Sequence, residues 1–166
     1  MISHSARAIF LDASVLVALH SDEPRSALVR KRCHAEPLQY TTPFCYYEAM
    51  NVLKSKCKFR KQIDFQTYRA ACTSLTVWFG AIDRRGWVKD NSFLSPEVLR
   101  DVTALVERSE LDFSDAFQIY SVKCGYFSVL IGESSPILAT TDVELARVAR
   151  QEGVRAWQVD VEPAPQ

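Results

Sequence analysis

Residues 8–11 (AIFL) form an unbroken apolar run that closes on Asp12. A strand with one face in water alternates apolar and polar positions. A run with no polar position reads instead as a strand covered on both faces, the pattern of a parallel sheet under two layers of helix. Runs at 38–41, 137–140 and 154–159 can play the same part. Helical patterns lie between them. Residues 14–20 turn into a short helix, and Pro24 opens another behind Asp22 and Glu23. Thr42 is a cap followed by Pro43 at the first helical position, predicting a helix to about Lys58. Asp64 caps a longer helix whose Phe65, Tyr68, Cys72, Leu75, Phe79 and Ile82 share one face, with a break at 83–86. Ser95-Pro96 begins a helix with a stripe of Val98, Leu99, Val102, Leu105 and Val106. Ser114 begins one reaching about Lys123. Thr141-Asp142-Val143-Glu144 reads as a capping box for a helix ending at Gln151, which Gly153 stops. Strands alternating with helices predict an α/β domain with a parallel sheet and helices on both faces. The 124–136 stretch stays open between helix extension, small strand and lid.

Composition narrows the functional classes. The chain of 166 residues fits one domain, read as residues 1–160 with a loose tail at 161–166. Its apolar content of 48% excludes a disordered chain. No apolar run approaches the ~20 residues of a membrane span, and residues 1–8 do not look like a secretory leader. Twenty basic and twenty acidic residues cancel, which argues against a bulk electrostatic grip on nucleic acid but leaves room for a local basic groove. Five cysteines, an odd number with no CxxC pair, read as reduced and mostly buried thiols of a cytoplasmic protein. Zinc through Cys33 and His34 lacks a second pair at finger spacing.

The carboxylates carry the functional signal. Asp12 ends the first apolar strand, and Asp142 follows the strand at 137–140. Glu48 sits in the second turn of the helix after 38–41, and Asp115 in the first turn of its own helix. Ligands of open parallel sheets bind beyond the carboxyl ends of the strands, the edge to which this alternation brings all four acids. Four crowded carboxylates repel one another, so the arrangement makes sense chiefly around a divalent cation. Oxygen-only ligation selects Mg²⁺ or Mn²⁺. Taken singly, Asp115 and Asp142 also read as ordinary helix N-terminal acids, and Glu48 as a solvated surface group. Asp12 is different, because an acid closing a fully apolar strand is hard to explain as surface decoration. Ser14, Thr140 and Asn51 are candidates for the shell of polar groups around the acids.

With these residues assembled, the chain resembles the PIN-domain family and, within it, the VapC-type toxin ribonucleases. The resemblance rests on IFLDASVLVAL (9–19), YYEAMNVL (46–53), LDFSDAFQIYSV (111–122) and ILATTDVELARVARQEGV (137–154), in the family's order and spanning nearly the whole chain. It implies a three-layer α/β/α sandwich with a central parallel sheet and a metal-dependent endoribonuclease. Asp12, Glu48, Asp115 and Asp142 match the four acids as metal ligands and catalytic groups, Ser14 the small hydroxyl of the first motif, and Thr140 the threonine before the last acid. Asp112 stands where the family often has Ser or Thr, either as an outer acid or as a helix cap. The 123–136 segment is longer than in short relatives. The resemblance also implies a small VapB-like antitoxin, a homodimer and a toxin–antitoxin hetero-oligomer.

Lys54, Lys56, Lys58, Arg60 and Lys61 cluster after Glu48, with smaller groups at 30–32 and 84–85. If the helix continues, Lys54, Lys58 and Lys61 recur at helical spacing and could track an RNA backbone; otherwise they are a solvated face. Tyr46, Tyr47, Trp78 and Phe79 could serve an interface or the core. Two other functions compete with the nuclease. A non-catalytic PIN-like binding or regulatory module would keep the fold without the chemistry. An aspartate-nucleophile phosphatase would want a second Asp where Ser14 stands.

Overall fold

The computed structural model describes residues 7–81, 95–129 and 136–165. The expected helix break at 83–86, Ile82, the Arg84-Arg85 pair and residues 130–135 lie outside them. The apolar run becomes β1 (Ala8–Leu11), buried along its whole length. It is followed by α1 (Ala13–His20) and α2 (Ser26–His34), then β2 (Leu38–Tyr40) and α3 (Pro43–Lys58). Next come α4 (Phe65–Ala81), α5 (Pro96–Ser109), α6 (Phe113–Lys123) and a short 3₁₀ turn (Tyr126–Val129). The described chain closes with β3 (Ile137–Thr140), α7 (Val143–Gln151) and β4 (Ala156–Gln158).

The four strands are parallel in the order β2-β1-β3-β4. Ile9 pairs with Gln39 on one side and Ile137 on the other, and Ala139 pairs with Trp157. Because all strands run the same way, every carboxyl end reaches one rim. The chain winds from β1 outward to β2 in one direction and to β3 in the other, so the switch of winding falls between β1 and β3, where open sheets form their ligand crevice. This is the α/β sandwich expected from the sequence.

The core explains the apolar runs. Ile9, Phe10, Leu11, Leu138 and Ala139 are at most 1% exposed. In α1, Ala13 and Val15 to Leu19 are all buried, since α2, α3 and α4 pack around it. Phe127 in the 3₁₀ turn packs edge-on against Phe10 (ring centroids 4.9 Å) and Tyr40 (5.8 Å), so part of the unassigned 124–136 stretch is a core plug. Gly125 lets this turn form: a Cβ there would lie 2.8 Å from the Ser121 Cα. Gly153 ends α7 at φ +79°, a conformation glycine adopts without strain.

Several local expectations change. α2 starts at Ser26 rather than near Pro24, because Arg25 takes the left-handed region (φ 77°) and stops the helix from extending back. The cap of α7 is Asp142, not Thr141: the Asp142 side chain accepts the Glu144 and Leu145 amides. α6 starts at Phe113, one residue earlier than expected, with Asp112 as its cap. On α4 the buried positions are Ala71 and Leu75, with Tyr68, Cys72 and Trp78 packed beside them. Phe65 at the first turn is 60% exposed, beyond the reach of the helices that cover the rest. Leu99 likewise sits at the edge of the α5 stripe, at 37% exposed. Beyond β4, Glu162 is tied back to the body: it pairs with Arg150, accepts the Gln158 amide (3.0 Å), and its carbonyl accepts Trp157 Nε1 (3.2 Å). No helix among the described residues is long and apolar enough to cross a membrane.

Candidate metal centre

Asp12 follows directly on β1 and is the N-cap of α1, so the residue that ends the strand also starts the helix. Its Oδ1 accepts the Val15 amide (2.8 Å) and the Ser14 hydroxyl (2.8 Å), and its Oδ2 accepts Thr140 Oγ1 (2.7 Å). The same two hydroxyls face the β3–α7 turn: Thr141 N–H donates to Ser14 Oγ and Asp142 N–H to Thr140 Oγ1, both at 2.9 Å. Ser14 and Thr140 thus lock the carboxyl ends of the two central strands together through Asp12. The Asp12 amide donates to Ala139 O (3.2 Å), and Thr41 Oγ1 donates to Leu11 O (2.8 Å), closing the rim from the β2 side.

Asp12 is 2% exposed, and burial pushes its carboxyl up to about 7, although the Val15, Thr140 and Ser14 hydrogen bonds pull the other way. Glu48 adds a like charge. Glu48 itself is half-buried on α3, and its carboxyl is raised by burial and by Asp112 despite hydrogen bonds that favour the anion. Ser114 Oγ and Gln118 Nε2 (3.3 Å), one turn apart on α6, both donate to Glu48 Oε2.

Asp115 stands between these groups. Burial, then repulsion from Asp112, Glu48, Asp12 and Asp142, pushes its carboxyl up to about 8. That all of these acids act on Asp115 puts the four expected site residues in one electrostatic field. The Asp115 backbone amide donates to Asp112 Oδ1 (2.9 Å). Among the described residues no donor reaches its carboxylate, and no Lys or Arg pairs with Asp12, Glu48, Asp115 or Asp142. Asp142 is exposed, and its Oδ1 serves the α7 cap.

The acids are neighbours without forming a closed ligand cage: among the described residues no group of three or more His, Cys, Asp or Glu side chains is arranged to hold a metal. The donor type nevertheless fits a hard cation, since every group is a carboxylate or hydroxyl oxygen. Mg²⁺ characteristically takes only one or two carboxylates directly and keeps several waters. Mutual repulsion also keeps bare carboxylates apart.

The remaining candidates separate. Asn51 is exposed on α3, and among the described residues no hydrogen bond joins it to the acids. Asp112 caps α6, and its charge adds to the upward push on Glu48 and Asp115. Lys54 and Lys58 are exposed on α3, but the helix ends at Lys58 and Lys61 sits in the left-handed region (φ 54°), so the three do not share one helical stripe. Lys56 turns inward to pair with Glu23 (2.8 Å). Arg30 and Arg32 are tied to backbone carbonyls of Ser21 and Val159. Tyr46 is committed to the α3–α4 contact, stacking on Phe79 (4.6 Å) and bonding Thr76, whereas Tyr47 is 67% exposed. All five cysteines are free thiols, with Cys33, Cys45 and Cys57 buried. The sequence reading passed over Thr41 and Gln118 as site supports and took Ser114 only as a helix start. The i, i+4 spacing of Ser114 and Gln118 around Asp115 was the available signal.

No family model and no curated protein matches the sequence. Solved structures do match the fold. The crystal structure of Mycobacterium tuberculosis VapC20, a toxin that cleaves the sarcin–ricin loop, is similar with a TM-score of 0.58 at 16% identity, over 94% of this chain and 100% of that one. The crystal structure of PAE2754 from Pyrobaculum aerophilum gives a TM-score of 0.56 at 22% identity, over 91% of this chain and 90% of the other. With a parallel sheet that switches its winding between β1 and β3, and these two likenesses, the chain has the PIN/VapC-like fold.

Proposed function

We propose that this chain is a divalent-metal-dependent endoribonuclease, the toxin half of a VapBC-type toxin–antitoxin pair acting in the cytoplasm. The observation that carries the reading is Asp115: a half-buried carboxylate, with no donor on it among the described residues, raised by the charges of Asp112, Glu48, Asp12 and Asp142. A protein gains nothing in stability from such an uncompensated cluster, and a bound cation is the simplest counter-charge. Asp12, Glu48, Asp115 and Asp142 would hold Mg²⁺ or Mn²⁺. When bound, such an ion neutralises the scissile phosphate and activates the attacking water. Ser14 and Thr140 keep Asp12 oriented, and Asp142 serves from the mouth of the site. Lys54 and Lys58 lie on the helix that carries Glu48, where they can meet RNA phosphates without reading sequence. The exposed Tyr47, Phe59, Phe65 and Val77 on and beside α3 and α4 offer apolar area for an antitoxin segment or a second copy.

The experiment is Mn²⁺ titration by calorimetry combined with RNA cleavage. The parent protein should bind Mn²⁺ and cleave RNA only with metal, and Asp12→Asn and Asp115→Asn should remain folded but lose cleavage. Full metal-dependent cleavage by both variants refutes the assignment. A second reading is a non-catalytic PIN-like module: among the described residues no three acids form a ready cage, and a parent protein that binds no Mn²⁺ would favour it over the nuclease. The phosphatase reading draws no support, because Ser14, whose hydroxyl donates to Asp12, stands where that chemistry wants a second acid.

A further inference from the structure

Glu48 reaches the site from α3 on a side chain with three rotatable torsions, so something must hold it if it is to act as a ligand. Ser114 and Gln118 are the groups that do so. They lie four residues apart on α6, hence on one face of that helix, and both donate to the same oxygen, Glu48 Oε2. With Oε2 taken, Oε1 is left as the free end of the carboxylate. Gln118 is 1% exposed, and its own carbonyl oxygen, Oε1, is buried with no hydrogen-bond partner among the described residues. A buried, orphaned carbonyl costs stability. Packing alone would favour Leu or Met at this position, between Phe117 and Ile119 in the core.

From this geometry we infer that Ser114 and Gln118 are positioning residues that clamp Glu48 through Oε2 and leave its Oε1 to serve a cation at the site. The inference rests on the metal-centre reading above. It deepens that reading by naming groups outside the four acids. Asp115, between the two clamp residues on the same helix turn, ties their placement to its own, so α6 supplies one ligand and orients another.

The test uses the full-length protein, Mn²⁺ as the probe, and thermal unfolding of the metal-free form. Gln118→Leu and Ser114→Ala should each weaken Mn²⁺ binding about tenfold or more, the usual cost of losing a group that orients a ligand. Ser114→Thr, which keeps the hydroxyl, should retain affinity close to the parent. Metal-free Gln118→Leu should unfold at the parent temperature or above, since the orphaned carbonyl is gone. Crystals of this variant should show Glu48 in another rotamer. A purely structural role gives the opposite pattern, with lower unfolding temperature and unchanged Mn²⁺ affinity, and overturns the clamp while leaving the nuclease reading intact. A parent protein that binds no Mn²⁺ overturns both.

Discussion

Asp12 gives the sharpest physical expectation, because it is both buried and central. In the folded protein its carboxyl is raised from 3.8 to about 7, chiefly by loss of hydration. The unfolded chain returns it to the ordinary range. Between those two values the folded state binds the extra proton, so the contribution to stability is complete below about pH 4 and is lost as the pH rises through 7. At about 1.4 kcal/mol per pH decade, the ionised group costs the metal-free protein up to about 4 kcal/mol at pH 8. Asn in its place carries no charge. Its carbonyl can still accept the Val15 amide, and its NH₂ can face the Thr140 hydroxyl, which can turn to accept. Metal-free Asp12→Asn should therefore match the parent near pH 4 and exceed it at pH 8. The gap should be a few kcal/mol, or up to about 10 °C in unfolding midpoint for a domain of this size. Asp115 titrates in the same direction, with its carboxyl at about 8, so the variant keeps part of the pH slope. Urea unfolding with EDTA at pH 4, 6 and 8 measures the effect. Adding Mn²⁺ at pH 8 should stabilise the parent and leave the variant nearly unchanged. A gap that does not vary with pH, or a variant less stable than the parent at pH 8, refutes the reasoning.

Other expectations follow from single contacts. Thr140→Val removes the donor to Asp12 Oδ2 and the acceptor of the Asp142 amide, and should cost about 1–3 kcal/mol in urea unfolding, together with most Mn²⁺-dependent cleavage. Arg7→Met strands Glu36, which is 4% exposed and held by two hydrogen bonds from that guanidinium, and should destabilise by about 2–4 kcal/mol without altering Mn²⁺ affinity. Phe127→Ala opens a cavity beside Phe10 and Tyr40 and should cost about 3–5 kcal/mol by calorimetric unfolding. Lys54→Glu with Lys58→Glu should weaken RNA binding and flatten its salt dependence while leaving Mn²⁺ affinity intact; an unchanged salt slope would show that RNA does not follow this face.

The sequence by itself determined the frame. The fully apolar run at 8–11 demands cover on both faces, and its alternation with helical patterns admits few architectures other than a parallel sheet between helices. An acid at the end of such a strand is already at the ligand-binding rim, so the positions of Asp12 and Asp142 along the chain were legible. Helix ends were legible where chemistry is local, as with Thr42-Pro43, Asp64 and Ser95. Arg25 was not, because nothing in its local sequence signals a left-handed backbone, and its side chain pairs across the fold with Asp160. Tertiary structure alone decided which polar groups meet: Ser14 with Thr140, Glu48 with Ser114 and Gln118, and Lys56 with Glu23 rather than with solvent. It also set the ionisation of Asp12 and Asp115. Burial and like-charge repulsion depend on three-dimensional separation, and residues 126 or more positions apart become hydrogen-bonded neighbours only when β1 and β3 lie side by side.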